Sequence, residues 1–311
     1  MAEIVVLGSL NMDLSINVPR IPLPGETICG GSMMTRPGGK GANQAAACAR
    51  LGRQVAMIGC VGQDDFGRRM KDNLRSIGVD VSHIKEETSA PSGTAMILVD
   101  TKGENCIVLS PGANQIVTID PVDADLIKQA KILLLQLEIT PETVCEAADI
   151  AKAAGVPVLL NPAPAIAFNE DIYAKIDYLI PNETEATLLT GVKVKDIPSA
   201  EKAAKILLER GTKTVIITLG ADGAFLATNQ RKVHVPALKT DVVDTTGAGD
   251  AFIGGFASAL VQGKGIDLAL NMASAAGALA ATKAGAQTSL PTRQELESYL
   301  NQKIGVQEVS S

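Results

Sequence analysis

Near its C-terminal end the chain reads Asp244-Thr245-Thr246-Gly247-Ala248-Gly249-Asp250-Ala251-Phe252. A polar, glycine-rich turn runs straight into an apolar stretch with helical character. Backbone N–H groups of such a turn sit at a helix N-terminus, where unpaired donors and the helix dipole attract an anion. Asp250 stands at the mouth of that site. A carboxylate repels phosphate, so it is the wrong group for simply binding one. It is the right group for taking a proton from a hydroxyl that attacks phosphate. The plainer alternative is an acid that complements the helix dipole. A base in this role needs no raised pKa, because the alcohol proton can leave late, as bond formation to phosphorus acidifies it. A dinucleotide-binding G-x-G-x-x-G needs a third glycine where Phe252 stands, and no G-x-x-x-x-G-K-[ST] P-loop occurs anywhere.

A second glycine-rich segment, Pro37-Gly38-Gly39-Lys40-Gly41-Ala42-Asn43, opens an alanine-rich helix that ends near Leu51-Gly52. Between and around the two segments, short β-branched runs alternate with longer amphipathic ones. Strands are expected at 4–7, 55–59, 132–137, 156–160, 178–180, 214–219 and 224–228. Helices are expected near 41–51, 66–77, 141–154, 183–190, 200–210, 249–261, 267–283 and 293–301. This alternation predicts an α/β fold, a mainly parallel sheet with helices on both faces. Residues 13–34 and 92–109 break the rhythm as extended, partly alternating segments, the second with a hairpin turn at Asp100-Thr101-Lys102-Gly103-Glu104. No helix is at hand to cover them. They are expected to form a small sheet standing off the main body, with one apolar face left for another subunit.

With the GGKGAN and DTTGAGD segments in this order, the chain resembles the ribokinase family of carbohydrate kinases, also called the PfkB family. The likeness runs from Ile4 to about Leu300. It implies a three-layer α/β/α fold as one kinase domain over 1–311, with a β lid over the sugar inserted from about 13–36 and 92–109. The activity it implies is transfer of phosphate from ATP to the 5-hydroxyl of D-ribose, with Mg²⁺ and K⁺ as ions. Fructose, deoxyribose or a nucleoside remain as alternative acceptors. The expected assembly is a homodimer through the lid sheet.

Composition agrees with a small-molecule enzyme. The 311 residues can bury a large core, and the formal net charge of -6 argues against a nucleic-acid or anionic-membrane partner. With no Trp and few other aromatics, stacking platforms for single-stranded nucleic acid are not expected. The five cysteines are scattered without a CxxC pair and read as reduced thiols of a cytoplasmic protein. Residues 1–10 lack a basic start and read as a first strand, not a signal peptide. No apolar run approaches membrane-spanning length.

The remaining candidates combine local chemistry with what the resemblance implies. Asn11 and Asp13 follow the first strand at alternate positions, so they point the same way. An open α/β sheet binds ligands at that end of its strands. Alone such a pair is a turn in most proteins; the resemblance reverses that reading and makes it a clamp on sugar hydroxyls. Gly39, Lys40 and Asn43, at the start of the alanine-rich helix, and Glu138, at the end of a strand, join the sugar site by resemblance. Asn182 and Glu185 form either a helix cap or, as in the family, an element near the nucleotide phosphates, with Glu185 reaching magnesium through water. Thr218, Gly220 and Gly223 resemble the nucleotide-binding turn, and Gly249 and Ser274 join the nucleotide set by resemblance. The resemblance assigns a potassium site to Asp244, Thr246, Ala280, Lys283, Gly285 and Ser289, mainly through backbone oxygens. The rival reading is that these two loops merely pack together. Catalysis falls to Asp250, with the Gly247, Ala248 and Gly249 amides as the anion hole. His83 and His234 share no ligand spacing, and neither is given a role. Two rivals from other classes are a nicotinamide oxidoreductase and a non-catalytic sugar-binding protein. The first needs a glycine fingerprint that Gly8-Ser9-Leu10-Asn11 does not supply. The second has no use for a carboxylate behind an anion hole.

Overall fold

Four consecutive apolar residues, Ile4–Leu7, leave no polar face, so the strand they form must be covered on both sides. A computed structural model describes residues 2–166 and 170–308 and puts this strand deep inside a sheet. In chain order the strands are β1 (Ile4–Leu7), β2 (Asn11–Asn17), β3 (Met34–Gly38), β4 (Val55–Gly62), β5 (Ile84–Glu87), β6 (Gly93–Val99) and β7 (Asn105–Ser110). Then come β8 (Ile132–Leu135), β9 (Val158–Leu160), β10 (Tyr178–Leu179), β11 (Thr214–Thr218), β12 (Ala224–Thr228) and β13 (Lys232–Val235). The helices are α1 (Lys40–Arg50), α2 (Asp65–Ile77), α3 (Pro121–Gln129), α4 (Pro141–Ala153), α5 (Glu183–Thr190) and α6 (Ile197–Glu209). They continue with α7 (Ala248–Val261), α8 (Ile266–Ala281), the single turn α9 (Ala286–Ser289) and α10 (Arg293–Glu308).

The nine-stranded sheet has the order β13-β12-β11-β10-β9-β8-β1-β4-β5. Every pairing from β11 to β5 is parallel, and β12 and β13 close one edge antiparallel. Alternation along β1 divides the core. Ile4 and Val6 pack with α1, α7 and α8, while Val5 and Leu7 face the side of α4 and α6. The expected three layers are therefore present. Three elements are not legible in the sequence. β5 buries only Ile84, and β13 alternates exposed and half-buried residues, so neither edge strand has an apolar run. α3 is announced only by its Asp120–Asp123 capping box and Pro121. The 280–289 stretch is not the loop expected: it begins in the last turn of α8 and ends in α9.

The second sheet has the order β3-β2-β6-β7 and stands apart from the first. It is narrower than the sequence implied, because the 18–33 stretch forms no strand. β7 is exposed at all six residues. Met96 on β6, 60% exposed, lies opposite Val108 on β7, 61% exposed. Among the described residues no helix is long and apolar enough to cross a membrane.

The crossing of α1 and α7 sets up the site. A Cβ at Gly254 would lie 2.4 Å from the Ala47 Cβ, and one at Gly255 would lie 3.0 Å from the Ala273 Cα. Small residues let these helices approach backbone to backbone, since helix spacing follows the side chains at the contact. Their N-terminal ends, carrying Asn43, Gln44 and Asp250, are brought together as a result.

Candidate active site

The carboxyl ends of β1, β8, β9, β10 and β11 open on one edge of the sheet. From them come Ser9 and Asn11, Glu138, Asn161, Asn182, and Gly220 respectively. Four of the sequence candidates, Asn11, Glu138, Asn182 and Gly220, therefore stand along the edge where an open parallel sheet binds ligands.

Asp250, in the first turn of α7, is 8% exposed. Its Oδ2 accepts from Asn43 Nδ2 at 2.9 Å and its Oδ1 from Gln44 Nε2 at 3.1 Å. Each oxygen thus has one protein donor and keeps a free lone pair. Burial pushes the Asp250 carboxyl above the ordinary carboxylate range, against the pull of Lys40, Asn43 and Gln44. Nothing in the sequence calls for a raised value. Desolvation by the α1–α7 contact is the reason for it.

Glu138 receives three protein donors on a single oxygen. Its Oε2 accepts from Ser9 Oγ at 2.5 Å, the Lys40 N–H at 3.0 Å and Asn11 Nδ2 at 3.4 Å. Among the described residues its Oε1 has no hydrogen-bond donor. Asn11 is fixed from behind, its Oδ1 accepting from Asn114 Nδ2 at 2.8 Å. Gly39 has φ 92°, and a Cβ there would meet the Asn11 N at 2.7 Å, so only glycine lets this loop lie against β2. Lys40 is held above the usual lysine range. Burial works against its charge, but Asp250, Glu138 and Glu185 together outweigh it. Its ammonium stands among the acids of both halves of the cleft.

Asp13 is pushed up to about 7, first by burial and then by the charges of Glu138 and Asp250. A folded-state pKa above the unfolded one costs stability as pH rises through about 7. Asp13→Asn should therefore raise the melting temperature at pH 8 and hardly at all near pH 4. If the carboxylate is what holds sugar hydroxyls, sugar affinity in the parent should strengthen between pH 6 and 8, and in Asp13→Asn it should not. Equal melting shifts at both pH values would contradict the raised pKa.

On the other half of the cleft, α7 begins at Ala248 with Gly247 as its cap in the left-handed region. Among the described residues nothing accepts from the N–H groups of Gly247, Gly249 and Asp250. The Ala248 N–H differs from expectation, because it donates to the Thr245 carbonyl at 3.1 Å within the turn. Asn182 and Glu185 form a full capping box at the start of α5, with Glu185 Oε2 accepting from the Asn182 N–H at 2.9 Å. Burial raises the Glu185 carboxyl, opposed by the Asn182 N–H and by Lys40, while Asp250 adds to it. Capping and proximity to the cleft are thus properties of one residue. The Asn182 and Thr218 backbones pair, and Gly220, Asp222 and Gly223 complete a tight turn. His234, which has no role on sequence grounds, places its Nε2 2.7 Å from the Asp222 carbonyl and holds this turn. Ser274 lies on α8, where its Oγ is buried without a protein partner.

The 244–246 turn and the 280–289 stretch do come together. Asp244 Oδ1 accepts from the Thr246 N–H at 2.9 Å, and Oδ2 from the Gly285 N–H at 2.8 Å. The Ala281 carbonyl accepts from the Val243 N–H at 2.8 Å. Ala280 sits at the C-terminal end of α8, where carbonyls and the dipole favour a cation. Lys283 turns its ammonium to Glu295 at 2.5 Å, away from these oxygens, and Ser289 Oγ donates to the Ala286 carbonyl. No group of three or more His, Cys, Asp or Glu suited to a metal occurs among the described residues. Backbone oxygens with a single carboxylate fit a large, weakly demanding monovalent ion. One carboxylate, Glu185, fits a magnesium ion that keeps most of its waters.

Sequence reading missed Ser9, Gln44, Asn114, Gln136, Asn161 and Gln287, which connect the candidates to one another. The one signal that could have found them is polarity where the pattern is otherwise apolar. Gln44 and Gln136 are both 0% exposed, inside an alanine-rich helix and at the end of a leucine-rich strand.

Residues 1–293 match the family described as pfkB family carbohydrate kinase. A curated ribokinase of Haemophilus influenzae is 45% identical over 300 residues, covering 96% of this chain and 98% of its own. A deoxyribokinase of Salmonella typhi is 38% identical over 302 residues, covering 96% and 99%. The solved structure of Arabidopsis thaliana ribokinase complexed with ribose and ATP superposes with a TM-score of 0.91 at 33% identity, covering 96% of this chain and 98% of that one.

Proposed function

The chain belongs to the pfkB family of carbohydrate kinases, and from that premise we propose that it transfers the γ-phosphoryl group of ATP to the 5-hydroxyl of D-ribose, giving D-ribose 5-phosphate and ADP. The observation that carries this reading is the position of Asp250. A buried carboxylate with a free lone pair on each oxygen lies one residue from unpaired N–H groups at a helix N-terminus. Asp250 takes the proton of the attacking hydroxyl. The Gly247 and Gly249 amides, with the Asp250 N–H, face the charge on the transferring group. Asp13, Asn11 and Glu138 Oε1 hold the remaining sugar hydroxyls, with Gly39, Lys40 and Asn43 beside them. Lys40, among three acids, also balances charge between sugar and phosphates. Thr218, Gly220, Gly223 and Ser274 hold the nucleotide. Glu185, with Asn182 beside it, would hold a magnesium ion through its waters, and the ion would supply positive charge against the nucleotide phosphates. The small sheet folds over the sugar and keeps water from competing as acceptor.

The test is ADP release across a panel of sugars with the purified protein. Ribose should give the highest kcat/KM. The 38% identity to a deoxyribokinase makes 2-deoxyribose the second reading, and a preference for it in the panel would replace the first. No ADP release with any sugar would overturn both.

Potassium belongs to the same proposal. At fixed Mg-ATP, replacing a bulky organic cation by K⁺ should raise the rate several-fold. Asp244→Ala should abolish that ratio, whatever it does to the basal rate through the lost Thr246 and Gly285 contacts. Equal rates with and without K⁺ in the parent would remove the site.

A second copy of the chain covers the exposed apolar face of the small sheet, which also ends in an unpaired edge. Sedimentation should find a dimer in the parent and a monomer in Val108→Lys. A monomeric parent would exclude this. We place the enzyme in the cytoplasm, in keeping with its five unpaired cysteines.

A further inference from the structure

Behind Asp250 lies a chain of buried amides whose side-chain hydrogen bonds, among the described residues, reach no other sugar or nucleotide candidate. It starts at the Ile180 carbonyl, a backbone acceptor at the end of β10. Asn161 Nδ2 donates to it at 3.0 Å, which turns Asn161 Oδ1 toward Gln44. Gln44 Nε2 donates to that oxygen at 3.2 Å and to Asp250 Oδ1 at 3.1 Å. Gln44 Oε1 accepts from Gln136 Nε2 at 2.6 Å. The Gln44 amide thus has both donor hydrogens and its acceptor engaged, and it is 0% exposed.

The direction of this chain is fixed by its first link. A carbonyl can only accept, so Asn161 must present its nitrogen to Ile180 and its oxygen to Gln44. Gln44 must then present its nitrogen to Asn161 and Asp250. Flipping any amide would set oxygen against oxygen. The last member carries the cost. Gln136 Oε1 is buried with no partner. It occupies the space that a side chain at position 8 would take, for a Cβ on Gly8 would lie 2.0 Å from it. A leucine at 136 would leave no orphan acceptor, since a buried polar group without a partner is unfavourable. The amide at 136 is explained as the group that holds Gln44 in one orientation.

We infer that Gln44 is a positioning residue for Asp250, aimed by the Ile180–Asn161–Gln44–Gln136 relay. It pins Oδ1 so that the carboxylate plane, and the free lone pair of Oδ2, keep one direction toward the attacking hydroxyl. Asn43 does the same for Oδ2 from the neighbouring position, but Asn43 also borders the ligand space, while Gln44 faces only protein. This inference rests on Asp250 being the base. The two fail differently: loss of all turnover in the parent removes the base, whereas an active parent with an equally active Gln44 variant removes only the relay.

The test separates chemistry from binding. With the sugar that the panel identifies, kcat and the dissociation constants for sugar and ATP are measured for Gln44→Met and Gln136→Met, below their melting temperatures. Gln44→Met should lose about 10- to 150-fold in kcat, the scale of one hydrogen bond to a charged group, with both dissociation constants within about threefold of the parent. Gln136→Met removes no contact to Asp250 and should still lose about two- to tenfold in kcat, the scale of a neutral hydrogen bond. The double variant should lose little more than Gln44→Met, because the second change acts only through the first. A folded Gln136→Met protein with unchanged kcat overturns the relay, even if Gln44→Met does not fold. So does a fall in kcat matched by an equal loss of sugar affinity.

Discussion

Asp250→Asn should lower kcat by about 10² to 10⁴ while sugar and ATP bind nearly as before, the range that a positioned general base contributes. Asparagine keeps the shape but cannot accept the proton. The surroundings of Asp250 sharpen the expectation. Asn43 and Gln44 each present an N–H to one oxygen of Asp250. An amide can satisfy only one of them, so the variant also sets one N–H against another. The carboxyl is buried and its pKa raised, so it holds a proton, once taken, better than an exposed acid does. Pre-steady-state kinetics with separately measured dissociation constants decide the matter. A variant that keeps more than a tenth of parental kcat removes Asp250 from the role of base.

The second large effect is expected at Glu138. In Glu138→Ala the Ser9 hydroxyl, the Lys40 N–H and the Asn11 amide all lose their shared acceptor. These donors belong to the loop after β1, the first residue of β2 and the start of α1, so the two walls of the proposed sugar site come apart as well. Glu138 is half-buried, and a hydrogen bond to a charged group is worth about 1.5–3 kcal/mol, so kcat/KM for the sugar should fall by about 10- to 150-fold. The KM for ATP should change by less than about threefold, because a localised loss does not spread to independent contacts. Glu138→Gln should fall between, since it keeps one acceptor oxygen but not the charge. Similar losses for sugar and ATP would show that Glu138 holds the whole fold rather than the sugar wall.

The parts of the site that were legible are those whose chemistry and position lie within a few residues of each other. Asp250 was readable as a helix-start acid because its turn and helix lie next to it in sequence; Asn11 and Glu138 were readable as residues at strand ends, and only the resemblance gave them to the sugar. The Asn182–Glu185 pair was readable as a cap for the same reason, and the structure contains that cap. The β5 and β13 strands were missed because an edge strand needs few buried residues. Gln44 was missed because its partners are Asn161 and Asp250, more than a hundred residues away along the chain, and nothing beside it in sequence hints at them.

By itself, the sequence determined the alternation of strands and helices, the glycine-rich turns that begin α1 and α7, and the order of the small sheet's insertions. These follow from periods of two and 3.6 residues and from the φ freedom of glycine, which are properties of short stretches of backbone. Only the tertiary structure decided which lone pairs of Asp250 and Glu138 stay free, why Asp13 and Asp250 hold protons more tightly, and which buried amides meet Asp250. Those depend on how close α1 and α7 approach over Ala47 and Gly254, and on strand ends meeting along one edge of the sheet. Burial and hydrogen-bond direction exist only once distant segments share a volume, so no local pattern can encode them.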